Sequence, residues 1–134
     1  MSYSRTGYFD TQRWYDALME RRTREALRLR AREFEREHWC DSDAELLETI
    51  RERATELGYV PFAAEHPGAA LILKRFGTWG KALHLAGLPR PAGADRLKYT
   101  RLYREEYRRQ QKLHRSEKAE KLARRRAASS ERDS

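Results

Sequence analysis

The residues that could support catalysis in this chain are four histidines, one cysteine and scattered carboxylates. The histidines His38, His66, His84 and His114 lie far apart and lack the spacing of metal ligands. The chain contains no asparagine, so the paired histidines and the asparagine of an HNH nuclease site cannot be assembled. These residues predict no metal site, no cofactor site and no catalytic residue.

The single cysteine, Cys40, closely follows His38. A cysteine nucleophile needs a base that a third group orients, and no such group is evident here. We therefore expect an idle or buried thiol. One cysteine cannot form a disulfide within the chain, and no apolar leader follows the first residues, which fits a reducing, cytoplasmic setting.

Two further patterns imitate catalytic motifs. Asp41, Asp43 and Glu45 form an acidic cluster, but Ser42 places them at the start of a helix, where carboxylates stabilise the helix dipole. Residues 85–93 look superficially like the LAGLIDADG motif, but Arg90 and Ala92 occupy its two acidic positions. The sequence therefore favours a non-enzymatic protein.

Basic residues are the strongest chemical signal. Residues 90–134 carry 15 basic and 7 acidic side chains, which equals the net charge of +8 of the whole chain. A cationic arm of this kind associates with polyanions through counterion release. Tyrosines at 99, 103 and 107 form one stripe of this arm, either stacking on RNA bases or packing against the protein itself. The arm's candidate nucleic-acid contacts are Arg101, Arg104, Arg108 and Lys112.

Helices must position these residues. The chain is 37% charged and 39% hydrophobic, so it can bury only a small core. Residues 1–10 are predicted to be flexible and residues 11–39 to form one long helix without Gly or Pro, rich in helix formers. No run approaches the ~20 apolar residues of a membrane span, which predicts no membrane partner.

Residues 42–89 predict a module of short helices. Ser42 and Glu45 form a capping box, and Gly58 ends the helix that they start. A helical turn over 62–65, a break at 66–68 and helices over 69–76 and 79–86 follow, the last capped by Thr78. Residues 90–94 read as a stiff linker, 95–127 as a basic helical arm and 128–134 as a disordered tail. The fold class is all-α.

The module resembles the homing-endonuclease-associated repeat, a small helix-turn-helix family. The resemblance covers residues 43–89 and rests mainly on two stretches: the Phe-Gly-Thr-Trp step at 76–79 and the Ala-Gly-Leu ending at 86–88. It implies DNA binding in a bacterial or phage protein, with the helix that ends at Phe76 as the recognition helix.

In this reading the contact residues of the module are Lys74, Arg75, Thr78 and Lys81. Lys74 and Arg75 lie opposite the apolar Ile72, and Thr78 lies at a helix start, where backbone N–H groups suit a phosphate. The front of the recognition helix is apolar, however, and reads few base edges. An alternative therefore remains open, in which Leu71 and Leu73 line a groove where another protein docks.

The favoured interpretation is a helix-turn-helix module between a long N-terminal helix and a basic C-terminal helix, binding double-stranded DNA in a regulatory or mobile-element context. One alternative is an RNA- or ribosome-associated factor that binds through the arm. The other is an adaptor that docks a protein through Leu71 and Leu73.

Overall fold

The structure is a computed structural model that describes residues 2–91 and 100–133. These described residues contain five α-helices and one short 3₁₀ turn. The helices are α1 (Ser2–His38), α2 (Asp43–Leu57), α3 (Ala69–Phe76), α4 (Trp79–Leu85) and α5 (Arg101–Asp133), and the 3₁₀ turn is Ala63–Glu65. No strand occurs within these described residues. The all-α prediction is confirmed.

The caps read from the sequence are present. The Ser42 hydroxyl accepts the Glu45 N–H at 3.2 Å, and the Glu45 carboxylate accepts the Ser42 N–H at 3.4 Å. At the end of α2, Gly58 has a φ of 80°, a left-handed conformation that glycine adopts without strain. The Leu88 N–H donates to the Leu83 carbonyl at 2.9 Å after Gly87, which completes a Schellman motif at the end of α4.

Both long helices extend beyond their predicted ends. The first begins at Ser2 rather than residue 11, because no proline interrupts the first ten residues. The last continues to Asp133 through the predicted disordered tail, since Ala127 and Ala128 are strong helix formers. Thr100 accepts the Tyr103 N–H at 3.1 Å and so caps the start of α5. The predicted linker and the first residues of the predicted arm lie largely in 92–99, outside the described residues.

The chain divides into two compact units, and each of the two long helices contributes residues to both of them. We call residues Arg24–Arg104 the central unit, and residues Met1–Thr23 with Glu105–Ser134 the terminal unit. None of the helices in the described part of the chain is long and apolar enough to cross a lipid bilayer.

The core of the central unit lies between α2, α3 and α4. Its buried side chains are Leu46, Ile50, Leu71, Ile72, Phe76, Ala82 and Leu83. Trp79 packs against this core and donates its indole N–H to the Pro61 carbonyl at 3.0 Å. These contacts fix α3 and α4 as a rigid pair, and they determine which side chains of the pair remain exposed.

In the terminal unit, the beginning of α1 packs antiparallel to α5. Arg22 donates to both carboxylate oxygens of Glu117 at 3.0 and 3.1 Å and to Gln110 at 3.3 Å. Tyr15 contacts the ring of His114 edge-on. Met19 is fully buried, and the Thr23 hydroxyl donates to its carbonyl. Between Arg108 and Glu131, the charged side chains of α5 are exposed to solvent.

Gly68 is required for a close approach to Phe34. A Cβ added at Gly68 would overlap the Phe34 ring, whereas a Cβ at Gly80 would meet no atom within 4 Å. We expect Gly68→Ala to lower the free energy of unfolding by about 1–3 kcal/mol, the usual cost of overpacking. Urea denaturation measures this change. Gly80→Ala is the control and should stabilise α4 slightly; an equal loss in both variants would contradict the overlap.

Candidate nucleic-acid interface

Two of the predicted cations in the module remain accessible. Lys74, on α3, has a 66% exposed side chain whose ammonium lies 3.0 Å from a carboxylate oxygen of Glu35. Lys81, on α4, is exposed as well. A surface ion pair of this kind contributes little to stability, and a phosphate can replace its carboxylate. Lys74 and Lys81 are therefore available to an anionic partner.

Arg75 is held by the protein itself. One terminal nitrogen of its guanidinium donates to the Asp41 carbonyl at 2.9 Å and to the Asp43 carboxylate at 3.0 Å. The other terminal nitrogen donates to the Trp39 carbonyl at 3.4 Å. These bonds tie α3 to the connection between α1 and α2. They occupy three of the five N–H donors of the guanidinium.

Thr78 acts as a helix cap, as predicted. Its hydroxyl oxygen accepts the Lys81 N–H at 3.1 Å and so satisfies a donor in the first turn of α4. The residue is exposed. Its predicted contact with a phosphate stays a prediction, whereas its part in starting α4 is visible in the geometry.

The predicted protein-docking groove requires both Leu71 and Leu73 at the surface, and the prediction is wrong for Leu71. Leu71 is only 4% exposed and belongs to the core, whereas Leu73 is 37% exposed. The reason is that α3 buries a broad face, since Leu71 and Ile72 both contact the core that α2 and α4 complete. Leu71 is therefore not accessible to a partner, and Leu73 is the exposed member of the pair.

Arg101, at the start of α5, is also bound internally. Its guanidinium donates to the Leu57 carbonyl at 3.0 Å and so caps the end of α2. Its backbone N–H donates at 3.2 Å to the carboxylate of Glu65, a residue with no exposed surface. The Tyr59 hydroxyl donates to the same carboxylate oxygen at 3.2 Å. Arg101 therefore anchors α5, while Arg104 is exposed.

A dense group of accessible cations lies farther along α5, in the terminal unit. Residues 108–126 contain nine basic and two acidic side chains, and all nine basic residues are exposed. We call these nine residues the cationic strip. Its length is about 27 Å at 1.5 Å per residue. Arg108 and Lys112, both predicted contacts, line one shallow groove of the strip together with Arg109, Gln111 and Arg115.

The comparison with protein families finds a match for the segment that holds α2, α3 and α4. The family model of the homing endonuclease associated repeat matches residues 41–89. The resemblance predicted for residues 43–89 is thereby confirmed. Comparison with curated proteins and with solved structures gives no significant match.

The repeat contains a buried histidine that sequence reasoning treated only as part of a chain break. His66 is 4% exposed, and its Nδ1 accepts the Gly68 N–H at 2.8 Å. The Thr49 hydroxyl donates to the Leu46 carbonyl, so its oxygen accepts the Nε2–H of His66 at 3.1 Å. Burial lowers the pKa of His66 to about 4. This histidine is neutral and structural, and it holds the turn that starts α3.

Sequence reasoning passed over Lys118 and Lys121, two exposed lysines of the cationic strip. Their spacing of three or four residues from Arg115, Arg124 and Arg125 is the signal that could have identified them. Among the described residues, no three histidine, cysteine or acidic side chains lie close enough together to hold a metal ion.

Proposed function

We propose that this protein binds double-stranded DNA without cutting it. In this proposal the cationic strip of α5 supplies most of the affinity, and Lys74 and Lys81 of the repeat supply further phosphate contacts. The observation that carries the proposal is the excess of nine exposed cations over two acids in residues 108–126. Neutralising DNA phosphates with such cations releases condensed counterions, which is the main driving force of non-specific binding.

The repeat supports DNA as the polyanion. The family that its model describes is associated with homing endonucleases, enzymes that act on nucleic acid. On the repeat, Lys74 and Lys81 are exposed on the adjacent helices α3 and α4. We expect these two lysines to hold phosphates, which carry no direct sequence information, so we expect weak sequence preference.

A binding role accounts for the histidines better than catalysis does. Both ring nitrogens of His66 are bonded inside the core. His38 lies 2.5 Å from the Asp41 carboxylate and stacks on Phe34. His114 contacts Tyr15 and the Arg22 guanidinium. Each of these three side chains therefore already has a structural role in this fold.

Structured RNA is the second candidate, and the position of the charge favours it. The strip lies outside the repeat, and a cationic helix attracts any phosphate backbone. Titration against blunt duplex DNA and a structured RNA of matched length, from ~0.05 to ~0.2 M salt, separates the two. The proposal expects tighter binding to the duplex across this range; tighter binding to the RNA would replace it with the second candidate.

Charge neutralisation in the repeat tests the part assigned to Lys74 and Lys81. The variant Lys74→Gln/Lys81→Gln should reduce the slope of log K against log salt by about 2, because each phosphate contact contributes about 0.9. Filter binding to duplex DNA at several salt concentrations measures the slope. The control Arg28→Gln/Arg36→Gln removes two exposed charges of α1 in the same central unit, and an equal change in its slope would contradict the assignment.

A further inference from the structure

An open groove in the terminal unit combines aromatic and cationic side chains. It has a volume of about 470 Å³, and Trp14 of α1 lines it together with Lys118, Lys121, Leu122 and Arg125 of α5. Trp14 is 61% exposed and Leu122 is 52% exposed. An exposed indole presents a flat apolar face on which another ring can stack.

The charge of this groove is positive. Lys118, Lys121 and Arg125 are all exposed. The one acidic side chain in the lining, Glu117, accepts two hydrogen bonds from Arg22 at 3.0 and 3.1 Å, so its charge is already matched. Three cations are therefore left to attract an anion, and the groove disfavours a cationic partner.

The occupant must be flat, apolar on its face and anionic at its edge. An unpaired nucleotide has this composition, since its base stacks on aromatic rings and its phosphates bind lysine and arginine. We propose that this groove binds an unstacked nucleotide of single-stranded DNA, with the base on Trp14 and the phosphates on Lys118, Lys121 and Arg125. The choice of DNA over RNA rests on the proposed function.

The test compares Trp14 with Trp39, a tryptophan of the central unit that is equally exposed at 63%. A single strand of about ten thymidines is titrated against the full-length protein, beside a strand of the same length with abasic sites. We expect Trp14→Ala to weaken binding of the thymidine strand about fivefold or more. Trp14→Phe should retain most of the affinity, and Trp39→Ala should retain all of it.

Fluorescence supplies a second readout. Stacking of a base on Trp14 should quench the protein's tryptophan emission when the thymidine strand is added. This quenching should disappear in Trp14→Ala and persist in Trp39→Ala. The abasic strand should bind more weakly to the native protein and cause little quenching, because it keeps the phosphates but offers no ring to stack.

Three results would overturn the proposal: equal affinity of the native protein for the two strands, an unchanged affinity in Trp14→Ala, or the same loss in Trp14→Ala and Trp39→Ala. A Trp14-dependent preference for the matching uridine RNA strand would overturn the assignment to DNA.

Blunt duplex DNA, titrated in parallel, keeps this test separate from the proposed function. It offers no unpaired base, so Trp14→Ala should bind it as the native protein does, while failure of the native protein to bind it would reject the proposed function alone.

Discussion

Replacing Arg108, Lys112 and Arg115 with glutamine should weaken binding to duplex DNA by about 10²-fold at ~0.15 M salt. All three side chains are exposed and line one groove of the cationic strip. Each phosphate that is no longer contacted retains its condensed counterions, so the losses of binding free energy add up over the three substitutions. The slope of log K against log salt should fall by about 3 in the same titrations.

Net charge alone must be separated from this local effect. The control is a matched triple variant on α1, in which Arg28, Arg32 and Arg36 become glutamine. These arginines are exposed too, but acidic residues at 25, 33, 35 and 37 surround them in sequence. The control removes the same total charge and should weaken duplex binding only slightly. Equal losses in the two triple variants would show that the strip has no special part in binding.

Acidification should destabilise the fold through His66. Burial lowers the pKa of this histidine to about 4, below its ordinary value of 6.5. Between these two pH values, His66 binds a proton in the unfolded chain but not in the native protein. The free energy of unfolding therefore decreases as the pH falls. The contribution is fully present above pH 6.5 and is lost progressively toward pH 4, a change of about 3 kcal/mol.

The structural reason is that a protonated His66 could not accept the Gly68 N–H. The charged ring would carry a proton on Nδ1, which now lies 2.8 Å from that donor. The ring also has aromatic neighbours, since Phe34 and Trp79 contact it edge-on. Protonation would therefore disturb the turn before α3 and leave a charge buried in the core.

Urea unfolding of the native protein and of His66→Gln, from pH 7.5 down to pH 4, measures this effect. The variant should be less stable at neutral pH, yet it should lose less stability on acidification, and the difference between the two curves isolates His66. The control His84→Gln alters an exposed histidine of the same unit and should behave like the native protein. Parallel curves for the native protein and His66→Gln would contradict the prediction.

The sequence determines the local structure of the repeat almost completely. The capping box of Ser42 and Glu45, the left-handed Gly58 and the Thr78 cap each involve residues within a few positions of one another. The bounds of α3, Ala69–Phe76, were predictable for the same reason. The family resemblance rests on such a short-range pattern as well, and the match to residues 41–89 confirms it.

Only the tertiary structure decides which cations are available. Arg75 and Lys74 are neighbours in sequence, but Arg75 donates three hydrogen bonds to the connection between α1 and α2 and to the start of α2, whereas Lys74 forms a surface ion pair with the half-buried Glu35. Arg101 likewise bonds to a carbonyl 44 residues earlier. Composition cannot distinguish an arginine that stabilises the fold from one that is free to bind a partner. The difference depends on backbone carbonyl groups that folding brings close to the guanidinium.

Burial on α3 was settled in the same way. The pattern of the helix places Ile72 and Phe76 on one side, but it does not fix how wide the buried face is. That width depends on how closely α2 and α4 approach, and it removes Leu71 from the surface. The division into two units is also a tertiary property, because antiparallel packing joins the beginning of α1 to α5 across most of the chain's length. Local sequence therefore determines the elements and their caps, and long-range packing determines which of their side chains can meet a partner.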